Sequence, residues 1–130
     1  MIFKLSKVVV NTDKAPAAIG PYSQAVKAGN FMFISGQIPI NPSTGEVVSE
    51  DIKVQTEQCL KNLRSICESA GLTLNNVVKT TIFITNISEF AKINEVYGGF
   101  FKENTPARAC VEVSALPKGV KVEIEAIVML

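Results

Sequence analysis

The chain has 130 residues, the length of one ordinary domain, and 47% of them are hydrophobic, which supplies a core and excludes a disordered chain. Thirteen basic and twelve acidic residues leave a net charge of +1 without a basic tract, so nucleic acid is not an expected partner. No apolar run reaches the roughly 18 residues of a membrane span. We therefore expect a single domain over residues 1–130 that makes no use of a membrane.

Cysteine and histidine usage narrows the chemistry further. The three cysteines form no CxxC pair, and the first stretch of the chain lacks the continuous apolar region of a signal peptide, which together predict a reduced, cytoplasmic setting. The chain contains no histidine, which excludes histidine-dependent triads and most zinc sites. Charged residues make up only 19%, below the usual value of about 25%, which indicates that some surface is buried in an oligomer.

The first part of the chain reads as strands and turns. A strand is expected over residues 3–10, followed by the loop NTDKAPAAIGPYS, rich in proline and glycine. A hairpin then turns at Ala28-Gly29-Asn30 and continues into a strand through Phe31–Gln37. The cluster NPSTGE predicts a further turn.

Helical periodicity is clearest over residues 50–70. Ser49 is the expected cap of its start, with acidic residues in the first turn, and Gly71 is the expected end. Cys59 and Cys67 lie on its apolar stripe, which predicts small buried hydrophobic side chains. A second helix is expected to start at Ser88, with apolar positions at Phe90, Ile93, Val96, Tyr97, Phe100 and Phe101, and with a last part weakened by Gly98-Gly99.

The remaining strands are predicted over residues 77–85, 106–114 and 120–129. This order of elements predicts an α+β sandwich in which one sheet carries both helices on one face. The other face would expose valine, isoleucine and phenylalanine, a liability in a monomer. We therefore expect that face to pack, at least in part, against partner subunits.

The last two strands each combine an apolar face with a charged one. Residues two apart share a face, so Arg108, Cys110 and Glu112 point one way, as do Lys121, Glu123 and Glu125 in the final strand. If the strands pair as a hairpin, one register sets Arg108 opposite Glu125, Cys110 opposite Glu123 and Glu112 opposite Lys121. A shift of two residues also keeps the faces matched.

Two interpretations of this charged face remain open: the solvated side of a sheet, or a cleft at a subunit boundary. In a cleft, Arg108 would grip a small carboxylate through its planar fork, and Glu123 would transfer a proton or direct a water molecule. Cys110 is expected to form part of the wall rather than to act as a nucleophile. Tyr22 would stack over a ligand or only pack, and Asn94 would lie on a polar helix face or cap.

Six stretches carry a resemblance to the reactive-intermediate deaminase family, also called RidA, YjgF or the L-PSP endoribonuclease family. They cover nearly the whole chain and occur in the family's order: APAAIGPYSQAV (15–26), ISGQIP (34–39), NPSTGEV (41–47), VVKTTIFI (77–84), PARACVEV (106–113) and LPKGVKVEIEAI (116–127). Members of the family often have a longer segment with an aromatic residue just before the proline, whereas KENTPAR is short and has Thr105 there.

The resemblance implies a chorismate-mutase-like (YjgF-like) fold with one mixed sheet, and a homotrimer with clefts between subunits. It also implies hydrolysis of 2-imino acids released by pyridoxal-phosphate enzymes, such as 2-iminobutanoate and 2-iminopropanoate, to 2-oxo acids and ammonia without a metal or organic cofactor. By position, Arg108 would hold the substrate carboxylate and Glu123 would position or activate the water. The backbone at Cys110 and Gly36 would line the pocket, and the remaining residues would complete it: Tyr22, Ser35 and Asn94.

Two other functions compete with a deaminase. One is a protein that binds 2-oxo acids or other small carboxylates as effectors without turnover, which Arg108 would serve equally well. The other is an endoribonuclease or translation inhibitor, against which the near-neutral charge and the absence of histidine argue.

Overall fold

A computed structural model describes residues 6–130, which form six strands and two helices around one core. The strands are β1 (Val8–Val10), β2 (Ala25–Ala28), β3 (Phe31–Gln37), β4 (Val77–Ile84), β5 (Ala107–Glu112) and β6 (Val122–Met129), and the helices are α1 (Ile52–Ser69) and α2 (Phe90–Phe100). The first predicted strand is confirmed from Val8 to Val10, while its beginning, residues 3–5, lies outside the described residues. Neither helix is long and apolar enough to cross a membrane.

The six strands make one mixed sheet in the order β1-β2-β3-β6-β4-β5. Every neighbouring pair is antiparallel except β4 and β5, which run parallel because α2 returns the chain to the starting edge between them. The predicted α+β sandwich with a mixed sheet is therefore confirmed.

The cap of α1 differs from the sequence prediction. Asp51, not Ser49, caps the helix: its Oδ1 accepts hydrogen bonds from the amides of Lys53 at 2.7 Å and Val54 at 3.3 Å. The Ser49 hydroxyl instead accepts from the Asp51 amide at 3.0 Å and so orders the residue that caps. The predicted end is confirmed, since Gly71 has φ +75° and its amide donates to the carbonyl of Glu68 at 3.0 Å.

The start of α2 also lies later than predicted. Residues Ile87–Glu89 form a single 3₁₀ turn, and α2 begins only at Phe90. Asn86 caps the turn by accepting from the Ser88 amide at 3.1 Å, and the Ser88 hydroxyl donates to the same oxygen at 2.7 Å. Serine therefore supports the asparagine cap instead of acting as the cap, and the helix continues through Gly98 and Gly99 to Phe100.

Both helices cover the same face of the sheet. On β6 the alternate residues Val122, Ile124, Ala126 and Val128 are buried, and α1 packs on this strand and on β3. The α1 side chains Leu60, Leu63 and Ile66 are fully buried, and each contributes about 1.5–3 kcal/mol of hydrophobic stabilisation. Cys59 and Cys67 are buried free thiols in the same core, as the periodicity predicts.

The opposite face of the sheet carries no helix. Its exposed apolar side chains include Phe31, Phe33, Val111 and Met129, which retain between 41% and 49% of their accessible surface. Several large apolar side chains exposed on one sheet face are unusual on a monomer. The predicted uncovered face is thus present in the chain, and we call it the open face.

The predicted hairpin between the last two strands is wrong. β6 inserts between β3 and β4, so that β4 separates it from β5. Arg108 lies beside Thr80, Cys110 beside Ile82 and Glu112 beside Ile84, and these three β4 residues point toward the helices. Glu123 and Glu125 lie beside Phe83 and Thr81, which point to the open face. The two charged faces are therefore on opposite sides of the sheet, and none of the three predicted pairings forms.

Candidate functional site

Arg108 is held against α2 by one hydrogen bond and two aromatic rings. Its Nη1 donates to Oδ1 of Asn94 at 2.8 Å, and its guanidinium carbon lies 5.1 Å from the ring centre of Phe90 and 4.8 Å from that of Tyr97. Both separations fall within the range of cation–π attraction. No carboxylate among residues 6–130 forms an ion pair with this guanidinium. The other N–H groups of the guanidinium can therefore donate hydrogen bonds to an anion that binds here.

The Tyr97 ring is in turn held by a hydrogen bond to the sheet. Its hydroxyl shares a 2.7 Å hydrogen bond with the hydroxyl of Thr80, a fully buried residue on β4. Burial raises the pKa of Tyr97, while the Thr80 hydrogen bond and the nearby Arg108 charge oppose that rise. Thr80 and Tyr97 are both buried, so the ring that orients Arg108 is anchored in the core.

A cavity of about 420 Å³ opens beside Arg108. Besides the arginine, it is lined by residues of α2 and of the segment before β5: Asn94, Tyr97, Gly98, Phe101, Thr105 and Pro106. Its volume lies within the roughly 300–1,000 Å³ that small-molecule sites usually have. We call it the Arg108 cavity.

Cys110 follows Arg108 on the same face of β5 and packs against the core beside Ile82. Burial raises the pKa of its thiol, and the Arg108 charge only partly offsets that effect. A thiol with a raised pKa is a poor nucleophile at neutral pH. The raised pKa argues against a nucleophilic role for Cys110, and its place in the wall of a site stays a prediction.

Glu123 lies on the open face, against the backbone of Gly36. A Cβ atom built on Gly36 would approach Cδ of Glu123 to 2.8 Å and Cγ to 3.1 Å, so only glycine fits at this position without displacing the carboxylate. The register between β3 and β6 shifts between Ile34 and Gln37, which indicates a bulge that brings the Gly36 backbone to the glutamate. Burial, followed by the neighbouring Glu125 charge, raises the pKa of Glu123.

The loop that carries Tyr22 is tied to β3 near the same glycine. The Ser35 hydroxyl donates to the Ser23 carbonyl at 2.6 Å, and the Ser35 amide donates to the Gln24 carbonyl at 2.9 Å. Tyr22 itself remains 53% exposed. With Gly36 and Lys118 it lines a second cavity of about 240 Å³.

Gln24 orders this loop from the inside. Its buried amide nitrogen donates to the carbonyls of Thr12, Ala15 and Pro16 at 2.8–3.2 Å, and its carbonyl oxygen accepts from the Thr12 amide at 2.7 Å. One side chain thus contacts four backbone groups of a segment without regular secondary structure, with its two N–H groups shared among three carbonyls. It ties Thr12, Ala15 and Pro16 together although no strand pairs with this segment.

The predicted site residues therefore fall into two groups in one chain. Arg108, Asn94 and Cys110 lie on the helix side at the β5 edge, whereas the others lie near the bulge of β3: Tyr22, Ser35, Gly36 and Glu123. Two strand spacings and a three-residue offset separate Arg108 from Glu123, roughly 14 Å between their Cα atoms. Among residues 6–130, no group of three or more acidic or cysteine side chains is placed to hold a metal ion.

Sequence reasoning did not assign Phe90 and Tyr97 to the site. Both were interpreted as apolar positions of the second helix, yet they stack on Arg108. A signal was available, since Phe90, Asn94 and Tyr97 are spaced four and three residues apart and therefore share one helix face.

Comparison with known proteins identifies the family. The family model for Endoribonuclease L-PSP matches residues 12–130. A RutC family protein of Pyrococcus horikoshii is 59% identical, over 93% of this chain and 96% of its own length. A protein of Escherichia coli K12 named 2-iminobutanoate/2-iminopropanoate deaminase is 52% identical, over 95% of this chain and 97% of its own.

A solved structure shares the fold as well. The crystal structure of E. coli TdcF with bound serine superposes with a TM-score of 0.90 at 47% identity, and the match covers 95% of this chain and 98% of that one. Both the family model and these relatives extend over nearly the whole length described above. The chain belongs to the Rid (RidA/YjgF/L-PSP) family.

Proposed function

We propose that this protein hydrolyses 2-imino acids, such as 2-iminobutanoate and 2-iminopropanoate, to 2-oxo acids and ammonia. The observation that carries the proposal is Arg108, a guanidinium oriented by Asn94, Phe90 and Tyr97 and without a carboxylate partner among the described residues. The name of the E. coli relative, at 52% identity, supports the same substrate class.

Arg108 is suited to the substrate carboxylate for a geometric reason. One Nη1–H is used by Asn94, which fixes the plane of the guanidinium, and the remaining donors form a fork that matches two carboxylate oxygens. The aromatic rings hold the cation without neutralising it. The enzyme thus binds the part of the substrate that does not react, and positions the imine carbon at a fixed distance from it.

Glu123 is the group that we assign to proton transfer. Its raised pKa makes the ionised form a better base than an ordinary carboxylate. It takes a proton from water while the oxygen bonds to the carbon of the protonated imine, and the electron pair of the C=N bond moves to nitrogen. It then gives this proton to the neutral amino group of the carbinolamine. The C–N bond breaks as the C=O bond forms, and the departing ammonia takes the hydroxyl proton, so that a 2-oxo acid and ammonium are released.

A second copy of the chain is required by this assignment. Arg108 and Glu123 lie on opposite faces of the sheet, so one chain cannot direct both at the same small substrate. The open face, with Phe31, Phe33 and Met129 exposed, offers an apolar surface through which copies can associate. We propose a homotrimer in which the Arg108 group of one subunit meets the Glu123 group of its neighbour.

A coupled assay tests the activity. Threonine dehydratase generates 2-iminobutanoate, semicarbazide traps it, and the protein competes by hydrolysing it first. Wild-type protein should suppress semicarbazone formation, whereas Arg108→Ala and Glu123→Gln should not. Glu123→Gln should still bind 2-oxobutanoate in a calorimetric titration, since its Arg108 is intact. Unchanged semicarbazone formation with wild-type protein would reject the deaminase, and 2-oxobutanoate binding by that protein would then favour the carboxylate-binding alternative.

Mixing the two inactive variants tests the shared site. If each site takes Arg108 from one subunit and Glu123 from the next, random reassembly of equal amounts restores about a quarter of the sites in any closed ring. Each variant mixed with itself provides the control. Mixtures that stay inactive after confirmed subunit exchange would contradict a site built from two chains.

A further inference from the structure

Helix α2 contains two adjacent glycines, Gly98 and Gly99, that the described chain does not require. Neither has a positive φ, so the backbone conformation does not call for glycine. Apart from the backbone of α2 itself, no atom lies within 4 Å of where a Cβ would be at either position, so packing does not require glycine either. Glycine destabilises a helix interior relative to alanine. Gly98 and Gly99 therefore leave the space beside the helix unoccupied, and this matters where that space belongs to a cavity.

Gly98 belongs to the helix face that holds Arg108. It follows Asn94 by four residues, which places it one turn further along the same face. It lines the Arg108 cavity together with Thr105 and Phe101. A side chain at this position would extend toward the helix N-terminus, that is, toward Asn94 and the guanidinium that Asn94 holds. Any such side chain would take up space in the cavity.

Gly99 lies on a different side of the helix and provides a natural comparison. It lines a groove of about 460 Å³ with Arg64, Glu68 and Phe100, at the far ends of both helices. Arg108 does not line that groove. The two glycines therefore share the same helix, the same backbone conformation and the same open surroundings, and they differ in the cavity that they border.

We propose that Gly98 determines the size of the substrate side chain by keeping the Arg108 cavity open, so that branched 2-imino acids are substrates along with short ones. This inference rests on the proposed deaminase function. On a single chain the cavity measures about 420 Å³, more than a four-carbon imino acid occupies, and the Glu123 group of the neighbouring subunit would close one side of it. With its carboxylate on Arg108, a longer side chain has free space along α2 past Gly98 and toward Thr105.

The test compares two substrates and two pairs of variants. An L-amino-acid oxidase with catalase produces 2-iminobutanoate from 2-aminobutanoate and 2-imino-4-methylpentanoate from leucine, and semicarbazide reports the imine that remains. Gly98→Leu should lower the ratio of kcat/KM for the branched imine over that for the short one by at least tenfold, the discrimination that small changes of pocket volume produce. Gly98→Ala should change the ratio in the same direction by less.

Gly99→Ala and Gly99→Leu are the matched controls. All four variants replace glycine with good helix formers, so all four should unfold at a higher temperature, by about 2–5 °C. Only the Gly98 pair should change the substrate ratio. A ratio in Gly98→Leu that stays within about twofold of wild type, or an equal change in Gly99→Leu, would overturn the inference.

The size inference can be judged separately from the proposed function. If wild-type protein hydrolyses neither imine, the deaminase fails, and calorimetric titration of the same variants with 2-oxobutanoate and 4-methyl-2-oxopentanoate then decides. A selective loss of affinity for the branched acid in Gly98→Leu supports the role of Gly98 without any turnover. The inference is overturned if Gly98→Leu and Gly99→Leu bind the branched acid with equal affinity, or if neither acid binds.

Discussion

Replacing Gly36 by alanine tests whether the position of the Glu123 carboxylate, rather than its presence, supports the activity. The new Cβ would overlap Oε2 of Glu123, would lie 2.8 Å from its Cδ, closer than real Cβ contacts, and would lie 3.1 Å from its Cγ, tighter than most such contacts. Gly36 lies in the bulge between Ile34 and Gln37, both of which pair with β6, and the atoms that the new Cβ meets belong to the glutamate side chain, so the side chain is the part that moves. A Glu123→Gln change removes the charge and leaves the contact, which separates the two effects.

The effect on stability should be small. Alanine restricts the unfolded chain more than glycine does, which stabilises the fold by about 0.5–1 kcal/mol. Moving the glutamate off its preferred rotamer costs about 0.5–1.5 kcal/mol, so the free energy of unfolding should change by about 1 kcal/mol at most. Catalysis is more sensitive, because a displacement of about 1 Å in a positioned group can lower the rate about 100-fold. That factor corresponds to about 2.7 kcal/mol in the activation barrier.

The assay is imine hydrolysis for wild type, Gly36→Ala, Glu123→Gln and the double variant, with urea unfolding of each. Gly36→Ala should lower kcat about 100-fold with a nearly unchanged unfolding midpoint. It should have no further effect in the Glu123→Gln background, because the displaced group has already lost its function. Full kcat in Gly36→Ala, or losses that simply add in the double variant, would refute the role given to the close contact.

Three further outcomes are expected. Arg108→Lys should raise KM at least tenfold for the 2-imino acid, since an ammonium neither makes two parallel hydrogen bonds nor stacks as a plane on the two rings, and steady-state kinetics measures this. Glu125→Gln removes a charge that raises the pKa of Glu123, so the acid limb of the kcat–pH profile should move to lower pH; an unmoved limb would mean that Glu123 is not the titrating base. Asp51→Ala should lower the thermal midpoint at pH 7 by removing the cap of α1. The cap hydrogen bonds lower the pKa of Asp51 from its ordinary value of 3.8, so the difference in midpoint should persist above that pH and fade as the pH falls through the lowered pKa. Scanning calorimetry of both proteins over this pH range measures it.

Local patterns in the sequence predicted the elements well, for reasons that the structure makes explicit. The stripe through Leu60, Leu63 and Ile66 is the buried face of α1, and the alternation from Val122 to Val128 is the buried face of β6. These patterns report burial directly, because each depends only on the period of its own element. Helix starts were less predictable, since Ser49 and Asp51 are both good caps and the choice depends on which amide each can reach.

Strand neighbours could not be predicted in the same way. The alternation in β5 and in β6 is compatible with pairing to each other, and successive strands usually do lie side by side. In the structure β6 pairs with β3 and β4 instead, and β4 separates it from β5. The alternation within β5 or β6 does not specify which strand becomes its neighbour. The error mattered for the site, because it placed Arg108 and Glu123 on one face when the insertion puts them on opposite faces. The strand pattern singled out Arg108 and Glu123, and the family resemblance added Ser35 and Gly36, whereas the division of these candidates into two groups required the topology.

The four hydrogen bonds of Gln24 have a consequence for the thermodynamics of any ligand that enters the cavity beside Tyr22. Ordering a free loop on binding costs about 1–2 kcal/mol for each residue whose backbone becomes fixed. Here the segment from Thr12 to Pro16 is already fixed when the chain folds, because one buried amide holds its carbonyls. Ligand binding should therefore carry no entropic cost of ordering this segment, and any ordering contribution to the heat capacity change should come from the loop residues beyond Pro16.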